Sequence, residues 1–151
     1  MYCTTDEVRA AIKDDAIGTI IGGDYTDDPA EREAQITPLI DSAIEDACGE
    51  IDGYLAKRYP VPLRSIPKVV NKFAKDIAVY NLFSRSGIDE SDREKNYLNR
   101  YQAAIRFLEL VAKGTVDIGA GGADDNSRKA STGFAVHSSP RRFSRDSMRG
   151  M

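Results

Sequence analysis

Between Leu39 and Val111 the apolar residues of this chain recur at a helical period in three separate stretches, and after Gly114 that period stops. The first stretch sets Leu39, Ile40, Ala43, Ile44, Ala47, Ile51, Tyr54 and Leu55 on one face. The second sets Val69, Val70, Phe73, Ala74, Ile77, Ala78, Tyr80 and Leu82, and the third Tyr97, Leu98, Tyr101, Ile105, Leu108 and Val111. Residues spaced this way share one side of a helix, so each stretch predicts an amphipathic helix with a stripe to bury. The punctuation agrees. Pro60 and Pro62 stop the first stretch near Tyr59, Ser65-Ile66-Pro67 opens the second, and Ser86-Gly87 closes it. Ser91 and Glu94 form a capping box for the third, which ends at Lys113-Gly114. Helices of about 20 residues, each about 30 Å long and joined by short connections, bury such stripes against one another. The expected fold is mainly α: a small up-and-down bundle over residues 1–114 with Ile40, Ile44, Ile51, Leu55, Phe73, Ile77, Tyr101, Ile105 and Leu108 in its core.

Two segments precede the long stretches. Thr4-Thr5-Asp6-Glu7 has the form of a capping box ahead of Val8, Ala11 and Ile12, which predicts a short helix over about 5–13 acting as an N-terminal peg or lid. Residues 14–28 mix Ile17, Ile20 and Ile21 with Gly and Asp and read as a loop with one helical turn. Asp28-Pro29 can open a helix, and Thr37-Pro38 offers a second start. A residue before Pro disfavours the helical region, so a break or kink is expected near Thr37.

From Thr115 the chain reads as an extended C-terminal arm, residues 115–151. Thr115–Gly119 has the look of a short strand, 120–131 that of a Gly/Asp/Ser/Asn linker, and Gly133–Ser138 that of a second weak strand. Two strands without a sheet of their own are marginal, so this arm is a candidate for strand addition to a partner. Charge divides with it. Residues 1–126 hold 15 Lys/Arg against 23 Asp/Glu, a net −8, whereas 127–151 hold 6 against 1, a net +5. A basic arm on an acidic body points to docking on a neighbouring copy, with Phe134, Val136, Phe143 and Met148 as apolar anchors and Arg141, Arg142, Arg145 and Arg149 pairing with carboxylates. Arginines around an aromatic also suit a nucleic-acid strand, but an acidic body opposes DNA wrapping.

Catalytic, metal and cofactor chemistry find little purchase. His137 is the only histidine, and Cys3 and Cys48 lack paired spacing, so no triad, zinc site or disulfide framework is expected; Cys48 reads as a small core thiol. Asp24, Asp27, Asp28 and Glu31 lack the glycine and terminal glutamate of a calcium loop and read as turn and cap residues. Gly119-Ala120-Gly121-Gly122 precedes Ala123-Asp124-Asp125 rather than a helix start, which disfavours phosphate. No apolar run reaches the ~20 residues of a membrane span and the N-terminus lacks signal-peptide regions, so a cytoplasmically made product is expected. A DNA-binding regulator would need a basic recognition helix, for which Lys68, Lys72 and Lys75 are the candidate row; a solvated face explains them more simply.

Four features combine into a resemblance. Met1-Tyr2 with its short capped helix, the block Glu50–Leu63 (EIDGYLAKRYPVPL), the helix Phe73–Leu82 (FAKDIAVYNL) and the ending Arg142–Gly150 (RFSRDSMRG) together resemble the Mu-like phage head-tail connector family. Residues 28–38, with two prolines, depart from that pattern. The resemblance spans nearly the whole chain. It implies a non-enzymatic adaptor of the virion neck, made in the host bacterial cytoplasm: a homo-oligomeric ring of about twelve copies under the portal protein, with a downstream neck or tail protein beyond it. Double-stranded DNA would pass through such a ring without specific binding, and no cofactor or membrane is implied. A tail-completion or stopper protein of the same neck is the nearest alternative.

Overall fold

A computed structural model describes residues 1–24, 26–85 and 92–120. Their compact unit spans Met1–Gly121. It holds five α-helices: α1 Thr5–Ala11, α2 Asp14–Ile21, α3 Pro29–Leu55, α4 Lys68–Ser84 and α5 Asp92–Lys113. The three long helices α3, α4 and α5 pack on one another, and α1 and α2 both lie against α3 and α4.

The expected capping box opens α1: the Thr4 hydroxyl accepts from Glu7 N–H at 3.3 Å while the Glu7 carboxylate accepts from Thr4 N–H at 3.0 Å. Residues 14–21 correct the loop expectation. They form a full helix, α2, because Ala16, Ile17 and Ile20 fall on one face and bury against the bundle; this outweighs the cost of Gly18 within the helix. Gly22, at φ +78°, then ends it.

At Thr37-Pro38 the expected break is absent, and α3 runs on for 27 residues. Pro38 lies on the exposed face, so the carbonyl it leaves without an N–H, that of Ala34, also lies on the wet side. Ile36 and Ile40, fully buried on the opposite face, hold both halves of the helix to the same core. Asp28 and Pro29 begin α3 as expected, Asp28 accepting from Ala30 N–H at 3.0 Å. The helix ends at Leu55 rather than Tyr59. Arg58 and Tyr59 N–H both reach back to the Leu55 carbonyl at 2.9 Å, closing a turn that aims the buried Tyr59 inward.

A further correction is the strand at 115–119, where the chain forms none. Val116 and Ile118 do alternate inward, which is why the segment reads as period two. Its polar backbone groups are met by the Arg58 and Tyr59 side chains instead of by a second strand. The second expected strand, 133–138, and the linker before it lie outside the described residues.

Ile40, Ile44, Ile51, Leu55, Ile77 and Leu108 are fully buried, and Phe73, Tyr101 and Ile105 pack against them while half-buried at the edge. The α4–α5 seam is aromatic: Phe73 on Phe107, Tyr80 stacked on Tyr101 and Phe83 stacked on Tyr97, with centroids 4.9, 4.2 and 4.4 Å apart. Among the described residues no helix is long and apolar enough to cross a membrane.

Candidate functional site

Four constructions use polar side chains beyond what the core requires. The first is a knot at the N-terminus. Tyr2 is 2% exposed; its hydroxyl donates to the Asp52 carboxylate on α3 and accepts from Leu63 N–H at 3.1 Å. Its backbone is held too, the N–H by Cys48 Sγ at 3.2 Å and the carbonyl by the Asn71 amide at 3.0 Å. Burial and then the hydrogen bond to Asp52 push the Tyr2 hydroxyl up to about 12, and burial pushes the Cys3 thiol up to about 11. Both shifts favour the protonated forms. Glu7 joins the knot: the Thr4 N–H and the Asn71 amide both donate to it, holding its carboxyl below the usual range. Beside the knot lies an open groove of about 700 Å³ whose rim includes the exposed Met1 and Ile66.

The second is Asp76, the one charged side chain buried among the described residues. Lys72 Nζ approaches it at 3.0 Å, and the Arg100 guanidinium on α5 donates to its other oxygen. One buried carboxylate thus ties α4 to α5, with both cations reaching out to solvent.

The third holds the residues that follow α5. Gly114 has φ +85°, a conformation that favours glycine, and the Arg58 guanidinium lies over it. Arg58 donates to the carbonyls of Val111 at 3.0 Å and Val116 at 3.2 Å. The Tyr59 hydroxyl donates to Asp117 at 3.1 Å and accepts from Ile118 N–H at 3.3 Å. Asp117 accepts in turn from Gly119 N–H at 2.7 Å.

The fourth is a separation of charge. Residues 33–52 hold six Asp/Glu and no Lys/Arg, and residues 53–75 hold six Lys/Arg and no Asp/Glu. The acids run along α3, where Asp41, Glu50 and Asp52 accept from the uncharged hydroxyls of Thr5, Tyr101 and Tyr2. Glu45 and Asp46 stand exposed between them. Among the described residues no α3 acid between 41 and 52 pairs with a cation. Among the described residues the one salt bridge on the acidic run joins Glu33 to Arg9 at 2.7 Å, and the Arg9 hydrogen bonds hold the Glu33 carboxyl low. The placement opposes local helix physics. Asp41–Glu45 and Asp46–Glu50 are like-charged at four-residue spacing, Asp52 sits at the negative end of α3, and Lys68 sits at the positive end of α4.

Among the described residues no group of three or more His, Cys, Asp or Glu side chains converges to hold a metal ion. Asp28 serves as a helix cap, and Glu31 accepts from the Thr26 hydroxyl at 3.0 Å. Of the candidate DNA-reading row, Lys72 pairs with Asp76, and Lys75 stands 3.7 Å from Glu7. The arm residues Phe134, Val136, Arg141, Arg142, Phe143, Arg145, Met148 and Arg149 lie outside the described residues, as does His137. Neither the Tyr2 knot nor the Arg58–Tyr59 contacts were anticipated from periodicity. The signal for the fourth feature was present in the order of charges.

Comparison with known proteins gives concordant results. The family described as Bacteriophage Mu, Gp36 matches residues 2–137. The Mu-like prophage FluMu protein gp36 of Haemophilus influenzae is 32% identical over 111 residues, 74% of each chain. Gene product J of Escherichia phage Mu is 30% identical over 107 residues, 71% of this chain and 72% of its own. The match spans the N-terminal knot, all five helices and the residues that Arg58 and Tyr59 hold, and the chain belongs to the bacteriophage Mu Gp36 family.

Proposed function

We propose that this protein is a non-enzymatic structural component of the virion neck, a head-to-tail connector that forms a ring between the portal protein and a downstream neck or tail protein. Double-stranded DNA passes through the ring without specific contacts. The observation that most supports this reading is the hold of Arg58 and Tyr59 on residues 111–118. These two residues lie in the Glu50–Leu63 block that carries the resemblance to connectors, and they fix the residues that lead out of α5 toward the C-terminal part of the chain. An adaptor needs such a rigid base, because an arm tethered to a mobile stem spends its docking energy on ordering the stem. The net −8 of residues 1–126 fits a channel that DNA slides through, since like charges repel. The internal pairing of Lys72 and Lys75 disfavours a DNA-reading regulator.

The test is the mass of the full-length protein by light scattering, alone and with the portal protein of the same genome, beside a truncation after Gly121 that keeps the compact unit. Recruitment of full-length protein to the portal as a ring, lost on truncation, is the expected result. A monomer that ignores the portal and binds duplex DNA with a steep salt dependence would overturn the reading. A tail-completion or stopper protein is distinguished by binding the downstream partner while ignoring the portal.

A further inference from the structure

We propose that copies of this chain associate head to tail, the acidic outer face of α3 in one copy seating against the basic start of α4 in the next. The inference rests on the assembly reading above and names the surfaces that carry it. One pole is Glu45 and Asp46, exposed, flanked by Asp41 and by Gly49 and Gly53. The other is Arg64 and Lys68, exposed and without an ion pair among the described residues, with Lys72 beside them 64% exposed.

Charge complementarity chooses the occupant. The acidic run 33–52 lacks any cation and the run 53–75 lacks any acid, yet among the described residues no side chain of one pole pairs with one of the other. Each pole also breaks a local rule, Glu45 and Asp46 each standing four residues from another acid on α3 and a lysine opening α4, and both penalties are relieved by an opposite charge arriving from outside. A face-to-face pair of α3 helices would set acid on acid. A head-to-tail contact sets acid on base and, where the rotation closes, generates a ring. The glycines agree with this. Gly49 and Gly53 lie in the interior of α3 with ordinary φ, and a Cβ on either would meet nothing within 4 Å. Nothing inside the chain requires them, but a second helix approaching the exposed face closely would use the space.

The experiment uses full-length protein and reads mass by sedimentation velocity at about 0.05 and about 0.5 M salt, a range over which screening of exposed charges becomes severe. Wild-type protein is expected to associate more strongly at the lower salt. Glu45→Lys with Asp46→Lys, and separately Arg64→Glu with Lys68→Glu, should each reduce the protein to monomer while leaving circular dichroism and Tm at wild-type values. An equimolar mixture of the two double variants should regain the wild-type mass, because the acidic pole lost on one is supplied by the other in alternation. Gly53→Leu should weaken association with Tm no lower than that of the wild type.

Wild-type assembly that ignores both charge reversals, or folded variants whose mixture stays monomeric, would overturn the proposed faces while leaving the connector reading intact. Failure of wild-type protein to assemble, alone or on the portal protein, would overturn both. Duplex DNA binding that Arg64→Glu with Lys68→Glu removes, with mass unchanged, would reassign the basic pole to phosphate.

Discussion

Tyr2 joins α3 to the turn before α4 and holds its own backbone in the same knot, so its removal is felt at several elements. Tyr2→Phe keeps the ring but leaves the Leu63 N–H without its acceptor in a buried site. A loss of about 1–3 kcal/mol in chemical denaturation is expected. The same residue gives an alkaline signature. The hydroxyls of Tyr2 and Tyr101 titrate at about 12 in the folded chain, each raised first by burial and then by its carboxylate partner, against about 10 unfolded. Their folded values are raised, so their contribution is intact below pH 10 and is lost as pH rises from about 10 to about 12; Tyr2→Phe should flatten that decline. At the acid end the sign reverses. Glu7 and Glu33 are lowered in the folded chain, so their contribution is present above the usual carboxylate range and lost as pH falls through their folded values. Glu7→Gln should reduce the acid dependence of Tm. The Tyr2 contacts were not visible in the sequence, because Tyr2 precedes every periodic segment and its partners lie 46 to 69 residues away, whereas the capping box that holds Glu7 was.

At the scale of elements, periodicity located the three long helices because each buries a stripe, and stripes leave a 3.6-residue record. It failed where tertiary contacts decided. The α2 segment, eight residues long, is too short for its apolar spacing to outweigh the turn-forming glycines in and after it, and the bundle against which Ile17 and Ile20 pack makes the helix favourable. Pro38 reads as a break until its exposure is known. Glycines give the sharpest element-level test, since their costs differ in sign. Gly49→Ala and Gly53→Ala meet open space at helical φ, and each should raise the stability of the isolated chain by about 0.5–1 kcal/mol. Gly114→Ala must hold φ +85° with its Cβ about 3.5 Å from the Arg58 guanidinium, and should cost about 1–2 kcal/mol. Thermal or urea denaturation of the three variants checks both signs.

At the scale of the whole molecule, the compact unit runs to Gly121, and the residues just after α5 belong to its packing. Truncation after Gly114 removes the buried Ile118, leaves Tyr59 without its partners and leaves Arg58 with the Val111 carbonyl alone. It should lower stability by about 2–4 kcal/mol, whereas truncation after Gly121 should leave Tm near that of the full chain; comparing the two melts separates a folding defect from an assembly defect. The sequence by itself determined the helical class, the order of the long helices, most of the core, the acidic body with its basic C-terminal residues, and the likeness to a phage family. These follow from period, punctuation and charge, which are properties of neighbours along the chain. Only the tertiary structure decided that α2 is a helix and that α3 passes unbroken through Pro38. It also decided that Asp76 is buried between two cations, and that Tyr2, Arg58 and Tyr59 tie both ends of the described chain to the bundle. Each of these depends on groups brought together across tens of residues, and burial and hydrogen bonding at that distance leave no local record.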